Sequence, residues 1–369
     1  MMIDNNRVVE ALRTVKDPNT GQDIIQRRMV EGLRIEGNNV NFTLVLPSLN
    51  MNNKTELIFA CIAAIQKEYP DAQTNVHTLA KPQGGESHAT QTPDRPFPHL
   101  KNIIAVASGK GGVGKSTVAV NLALGLKELG AKVGIMDADV YGPSIPTMLG
   151  LQGQRPLLRE IYGVPKMVPL EAYGLQVISI GNIIEPEQAV VLRGPRLAGV
   201  IKQFFNDTLW SELDYLVVDL PPGTGDVQLT LVQTVPVTGV VIVTTPQEVA
   251  VIDAIKAINM FLLPQVNVPI LGVVENMAWF TPEDMPERQY KIFGEGGGKK
   301  LAKQSESLLL GQIPLVMGIR EGGDAGKPAV LGHEPITKQA FISVAQNTAR
   351  QVALRNEMVA PTQKVNMQL

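Results

Sequence analysis

From residue 101 onward, short apolar runs alternate with stretches of helical spacing. The runs are Asn102–Ala107, Ala131–Met136, Leu175–Ile180, Tyr215–Val218, Gly239–Thr244 and Ile270–Glu275. Each is predominantly apolar rather than strictly alternating, as in strands buried on both faces. Between them, Lys115–Glu128 carries Val118, Leu122, Leu126 and Leu129 on one face, and Leu197–Leu209, Gln228–Val235 and Val249–Leu263 also read as helices. This alternation predicts an α/β fold with a mostly parallel sheet.

The first 80 residues have a different rhythm. Val8, Val9, Leu12 and Val15 form a helical stripe that ends at Asp17-Pro18-Asn19-Thr20-Gly21. Met29–Ile35 and Val40–Leu46 alternate as two strands about the turn Glu36-Gly37-Asn38-Asn39. Leu57, Ile58, Cys61, Ile62 and Ile65 follow at helical spacing, and Gln73–Leu79 reads as an edge strand. Residues 81–100 are polar and proline-rich, too poor in apolar surface to offset the entropy of ordering. Four segments follow: a small α+β domain over 1–80, a flexible linker over 81–100, a large α/β domain over 101–355, and a polar tail over 356–369, expected to fray.

Composition narrows the functional classes. The net charge is −2, which leaves no basic footprint for nucleic acid. No apolar run approaches the ~18 residues of a membrane helix. The first residues lack the basic-then-apolar build of a signal peptide, so a cytoplasmic location is expected. Cys61 is the one cysteine among 369 residues, which excludes an intrachain disulfide.

The large domain opens on Ser108-Gly109-Lys110-Gly111-Gly112-Val113-Gly114-Lys115-Ser116-Thr117, between the first strand and the first helix. Glycine, four residues, then Gly-Lys-Ser is the phosphate-loop pattern. Backbone N–H groups from Gly109 to Thr117 can turn inward on a triphosphate. Lys115 is placed for the β- and γ-phosphates, and Ser116 offers a hydroxyl to Mg²⁺. The helix N-terminus behind the loop adds its dipole.

Two further motifs supply carboxylates. Tyr215–Asp226 is an apolar strand ending in Asp219-Leu220-Pro221-Pro222-Gly223, the form of a Walker B site. Asp219 is assigned to Mg²⁺, and the backbone N–H of Gly223 to the γ-phosphate. In Met136-Asp137-Ala138-Asp139, two carboxylates one residue apart point the same way from a strand end. Asp139 is assigned to the attacking water and Asp137 to the Mg²⁺ shell, and the two roles can be exchanged.

Lys110 is a second lysine inside the loop. It resembles the signature lysine of the deviant Walker A ATPases, the class that includes MinD, ParA and the nitrogenase iron protein. That resemblance implies a homodimer closed over two nucleotides, with Lys110 reaching the partner's phosphates as an arginine finger does. Asp137–Pro146, Arg193-Gly194-Pro195, Asp219–Asp226, Thr245-Pro246-Gln247 and Glu275-Asn276-Met277 narrow the resemblance to the Mrp/NBP35 (ApbC) family, from about Lys101 to Ala353. The first domain resembles the MIP18-like (DUF59) assembly domain, mainly in Val15-Lys16-Asp17-Pro18 and the order of elements. The resemblance implies ATP and Mg²⁺ as cofactors and a 4Fe–4S cluster handed to recipient apoproteins, with iron–sulfur assembly proteins as further partners. It also implies adenine recognition by the amide of Asn276, with Pro314 lining the base pocket.

One departure stands out. The family's Cys-x-x-Cys follows the Glu-Asn-Met motif, and here Ala278–Tyr290 contains no cysteine. The small domain's usual cysteine, near Met51, is also missing. Cys61 sits on an apolar stripe and reads as core packing. Glu283, Asp284 and Glu287 lie where the pair would be, and His77, His88, His99 and His333 are scattered, so the cluster ligands stay unassigned. A metal-free, nucleotide-dependent adaptor in cluster assembly is the alternative.

Overall fold

The computed structural model describes residues 3–17, 21–27, 29–46, 54–70, 72–80, 97–140, 142–161, 163–183, 194–282, 284–285 and 287–359. They fall into two compact units, Met1–Gln91 and Thr92–Leu369.

In the first unit, α1 (Asn5–Arg13) begins where the Asp4 carboxylate accepts the Arg7 N–H at 3.1 Å, a side-chain N-cap. Strands β1 (Val30–Glu36) and β2 (Asn39–Leu46) pair antiparallel about the turn at Gly37, where φ is +61°. Helix α2 (Lys54–Glu68) leads to β3 (Gln73–Ala80), which lies parallel to β2 at the sheet edge. Val8, Leu12, Phe42, Leu44, Cys61 and Ile65 close one core. Val15, from the predicted stripe, joins that core from beyond the end of α1.

The second unit begins earlier than the linker boundary at residue 100. Phe97 is buried with its ring 5.6 Å from that of Phe205, and β4 (Leu100–Ala107) starts three residues later. Residues 81–96 of the predicted linker lie outside the described residues. After β4 come α3 (Lys115–Glu128), β5 (Val133–Asp137), α4 (Ile145–Met148), the hairpin β6 (Leu157–Ile161) and β7 (Val164–Val168), β8 (Leu170–Ala172) and β9 (Leu175–Ser179). Then follow α5 (Gly194–Asn206), β10 (Leu213–Asp219), α6 (Asp226–Thr234), β11 (Gly239–Thr244), α7 (Glu248–Leu262) and β12 (Ile270–Glu275). The chain closes with α8 (Gly297–Gln304), β13 (Leu309–Gln312), α9 (Met317–Asp324) and α10 (Pro335–Met358).

The central sheet runs β13-β12-β11-β4-β10-β5-β9-β8, with only β8 antiparallel to its neighbour. Alternate residues of β4 feed opposite cores. Ile103, Ala105 and Ala107 meet α5, α6 and α7, while Ile104 and Val106 meet α3 and α10. Ile103, Ile104 and Val106 each contribute about 1.5–3 kcal/mol when fully buried, so the middle strands are the most tightly packed part of the unit. Helix α10 runs through Met358, so Asn356 and Glu357 of the predicted tail are helical. Their polar side chains lie beyond a buried stripe of Phe341, Val344, Thr348 and Val352. Residues 360–369 lie outside the described residues.

Register decides where the chemistry falls. Asp219 pairs with Val106 on one side and with Asp137 on the other. Two carboxylates therefore end neighbouring parallel strands at one level, beside the loop that leaves β4. Open parallel sheets bind ligands at this carboxyl edge.

Candidate nucleotide site

The loop Gly109–Thr117 leaves β4 and enters α3. A Cβ on Gly109 would stand 2.1 Å from the Asp253 carbonyl carbon, so the loop lies directly on the α7 backbone. Gly114 has φ +79°, and a Cβ there would meet the Asn276 amide nitrogen at 2.2 Å. Gly114 is also the N-cap of α3 and offers no side-chain cap. The first N–H groups of that helix thus face the cradle unclaimed by a cap, a ready anion site.

A cavity of about 210 Å³ fills the cradle, lined by Lys110, Gly112, Lys115, Ser116, Asp139 and Pro222 among others. Lys115 is only 6 % exposed. Its Nζ donates to Asp219 Oδ1 at 2.7 Å and lies 3.2 Å from Ser116 Oγ and 3.5 Å from Asp139 Oδ2. Lys110, in contrast, is exposed at the rim.

Three carboxylates share this one buried cation. Asp137 accepts from Ser179 Oγ at 2.9 Å and from the Asp139 and Ile145 N–H groups at 3.1 and 3.3 Å. Burial nevertheless pushes its pKa up to about 7, helped by the Asp219 charge and opposed by those hydrogen bonds and Lys115. Burial also raises Asp219, while Lys115 and the Ser116 hydroxyl pull it down. Asp219 Oδ2 is buried without a hydrogen-bond partner among the described residues. An orphaned carboxylate oxygen beside a serine hydroxyl in an over-acidic pocket fits a hard divalent cation. Among the described residues no three His, Cys, Asp or Glu are grouped to hold a metal ion by themselves. Mg²⁺ needs no such cage, because waters and phosphates complete its shell.

A second cavity of about 400 Å³ shares Gly114 and Thr117 with the first and is walled by Met148, Asn276, Met277, Pro314, Leu315 and Ile319. Asn276 and Pro314 therefore meet in one place. The Asn276 Nδ2 donates to Val113 O at 2.9 Å, tying this wall to the phosphate loop. Gly223, assigned to the γ-phosphate through its backbone N–H, makes a contact that the sequence did not foresee. Its N–H donates to Ser108 O at 2.8 Å, because the turn after β10 folds against the start of the loop.

Residues 99–349 match the family described as NUBPL iron-transfer P-loop NTPase, and residues 5–77 match the iron–sulfur cluster assembly protein family. The chain belongs to the NUBPL iron-transfer P-loop NTPase family. It is 43 % identical to the iron–sulfur cluster carrier protein of Synechocystis sp., over 96 % of this chain and 99 % of that one. The corresponding protein of Deinococcus radiodurans is 45 % identical, over 97 % of this chain and 99 % of that one. Among solved structures, a nucleotide-binding protein in complex with ADP from Archaeoglobus fulgidus superposes with TM-score 0.57 at 37 % identity, covering 66 % of this chain and 93 % of that one. MinD with Mg-ADP from Pyrococcus horikoshii superposes with TM-score 0.51 at 24 % identity, over 69 % of this chain and 98 % of that one, a likeness of fold.

The chain's single thiol decides how far the expected cluster site is met. Cys61 is fully buried on α2, and burial pushes its pKa up to about 12. A cluster ligand is a thiolate, so Cys61 does not fit that task. The region of the expected Cys-x-x-Cys is tied to the wall of the second cavity instead. Phe280 pairs with Tyr290 and with Leu315, and the Leu315 N–H donates to Trp279 O at 2.7 Å. Among the described residues, Asp284 and Glu287 lie here without forming a ligand group, and His99 and His333 join none. Glu283, Met51 and His88 lie outside the described residues. No helix among the described residues is long and apolar enough to cross a membrane.

Sequence reading missed three contributors. Ser179 holds Asp137 from a strand 42 residues away. Asn121, buried on α3, donates to Thr117 O and accepts the Val330 N–H. Gln228 holds the turn after Asp219. Serine at a strand end and amides on helices carry no local signature, so nothing short of the fold could have placed them.

Proposed function

We propose that this chain is a Mg²⁺-dependent ATPase that works as a nucleotide-sandwich homodimer and carries iron–sulfur clusters to apoproteins. The observation behind this is Lys115, buried between Asp219 and Asp139 on the floor of a glycine cradle, with Lys110 exposed at its rim. Lys115 exchanges its carboxylate contacts for the β- and γ-phosphates. The N–H groups at the start of α3 hold the same phosphates. Ser116 and Asp219, with Asp137 behind them, would hold Mg²⁺, which would supply charge neutralisation on the phosphates. Asp139 orients a water and takes its proton as the water oxygen bonds to the γ-phosphorus. The β–γ bridging bond breaks, and ADP and inorganic phosphate leave. Lys110 reaches the phosphates of the partner subunit, so full turnover needs two copies. Hydrolysis releases the turns after Asp139 and Asp219, and the pair loosens.

The second reading, a metal-free adaptor for iron–sulfur assembly proteins, is favoured by the chemistry of Cys61, the single cysteine, buried with its thiol held protonated. Two experiments separate the readings. Phosphate release from ATP with Mg²⁺ tests the ATPase that both share. Anaerobic reconstitution with iron and sulfide, followed by iron counting and transfer to an apoprotein, tests the cargo. Stoichiometric, transferable iron supports the carrier. ATP turnover without retained iron supports the adaptor.

A further inference from the structure

The turn after Asp219 is governed from α6. Gln228 is 1 % exposed, and its Nε2 donates to two carbonyls of that turn, Pro221 O at 2.8 Å and Gly223 O at 3.0 Å. Only an amide nitrogen can face two carbonyls, which sets the side chain's orientation. Oε1 is then buried with no hydrogen-bond partner among the described residues. That orphan is a desolvation cost carried along with two bonds to one turn.

The two clamped carbonyls bracket a single peptide, Pro222–Gly223. Its N–H is the one that donates to Ser108 O in the phosphate loop. Gly223 has φ +96°, and a Cβ there would meet nothing within 4 Å. Proline followed by a glycine at positive φ is the residue pattern that the centre of a type II turn requires. Types I and II differ chiefly in the torsions on either side of that central peptide, so it can rotate while both flanking carbonyls stay in place. Pro222 lines the phosphate cavity, so the rotation happens at its wall.

We propose that Gln228 is a positioning residue for phosphate sensing. It pins both sides of the turn so that the response to a γ-phosphate is confined to one peptide, whose N–H exchanges Ser108 O for a phosphate oxygen. This rests on reading the cavity as an ATP site. An unpinned turn has more conformations to lose when the Gly223 N–H engages phosphate, so recognition of the third phosphate weakens. ADP offers no γ-phosphate, and its binding is indifferent to the pin.

The test compares the full-length chain with Gln228→Met, which keeps length without the donor, and Gln228→Asn, which keeps the amide one methylene short. ADP and a non-hydrolysable ATP analogue are titrated with Mg²⁺, kcat and KM are measured for ATP, and hydrogen exchange is followed over residues 219–228. In Gln228→Met, ADP affinity stays within about twofold of wild type, the analogue's advantage over ADP falls about tenfold, and kcat falls about tenfold with KM changed less, the scale expected when the two Nε2 hydrogen bonds are lost. Gln228→Asn recovers part of both losses. Should Gln228→Met fail to fold, wild-type exchange decides: the analogue, and not ADP, changes exchange over 219–228. Wild-type preference and kcat in Gln228→Met would overturn the proposal, as would identical wild-type exchange with ADP and analogue. A wild-type chain that binds neither nucleotide would instead sink the ATP-site reading.

Discussion

The phosphate cradle and the Cys61 helix both bury a reactive group, and burial does opposite work in the two places. In the cradle, Lys115, Asp137, Asp139 and Asp219 are each less than a tenth exposed, yet each has partners that keep charge in play. One cation stands among three carboxylates, and one carboxylate oxygen has no hydrogen-bond partner among the described residues. Such a site is incomplete and invites phosphate and metal. On α2, Cys61 packs among Leu12, Leu44 and Ile65, and its thiol stays protonated. That site is complete and invites nothing. A buried ionisable group is chemistry where its neighbours leave it unfinished, and packing where they do not.

The largest effect that can break this contrast is expected at Lys115. Lys115→Ala removes the floor of the cradle and leaves Asp219 and Asp139 facing each other without their cation. Nucleotide binding by titration and phosphate release should both be lost. A variant retaining either would refute the cradle as the phosphate site. Lys110→Ala should behave differently, because Lys110 is exposed and bonded to no carboxylate among the described residues. ADP binding is kept while kcat drops roughly 10³-fold, the scale of a charge supplied in trans. Unchanged turnover would remove Lys110 from the chemistry.

The Cys61 side of the contrast is sharpened by thiol labelling. With the pKa pushed up to about 12 by burial, the thiolate fraction at pH 8 is roughly 10³-fold below that of a free cysteine. Iodoacetamide should label the folded chain slowly and the unfolded chain at once, and Cys61→Ala should leave phosphate release unchanged. Rapid native-state labelling would put Cys61 back among candidate ligands.

The smallest effect is a pH slope. Asp137 titrates at about 7 in the fold, raised by burial and then by Asp219, against about 4 in an unfolded chain. Below pH 4 both forms carry the proton. Between about pH 4 and 7 only the unfolded chain loses it, so folding stability falls as pH rises through that window and levels off above it. Denaturant unfolding without Mg²⁺ or nucleotide should show this decline, and Asp137→Asn should flatten it. A wild-type stability that rises from pH 4 to 7 would mean the pocket is not over-acidic.

Much of this was legible without coordinates, for a physical reason. Gly109–Thr117, Asp137–Asp139 and Asp219–Gly223 are contiguous, and each follows an unbroken apolar strand, so local sequence carries both the element and its chemistry. Asn276 and Pro314 meet in one cavity because each follows the end of a parallel strand, β12 or β13. What stayed hidden depends on distance. The Gly223 N–H was assigned to phosphate, and its bond to a carbonyl 115 residues away in the phosphate loop had no local signal. Helix α10 was not read because Thr337, Ala345 and Thr348 interrupt its buried stripe with polar or small residues. The β6–β7 hairpin escaped because Leu157, Leu158 and Val164 are exposed, so its pattern matches neither a core strand nor an amphipathic one.

The central claim is that a triphosphate in the cradle joins two copies of the chain. Light scattering of the full-length protein with Mg²⁺ and a non-hydrolysable ATP analogue measures it directly. The account predicts about twice the 39.9 kDa of one chain with the analogue, returning to one chain with ADP. A mass of one chain at saturating, demonstrably bound analogue would contradict it.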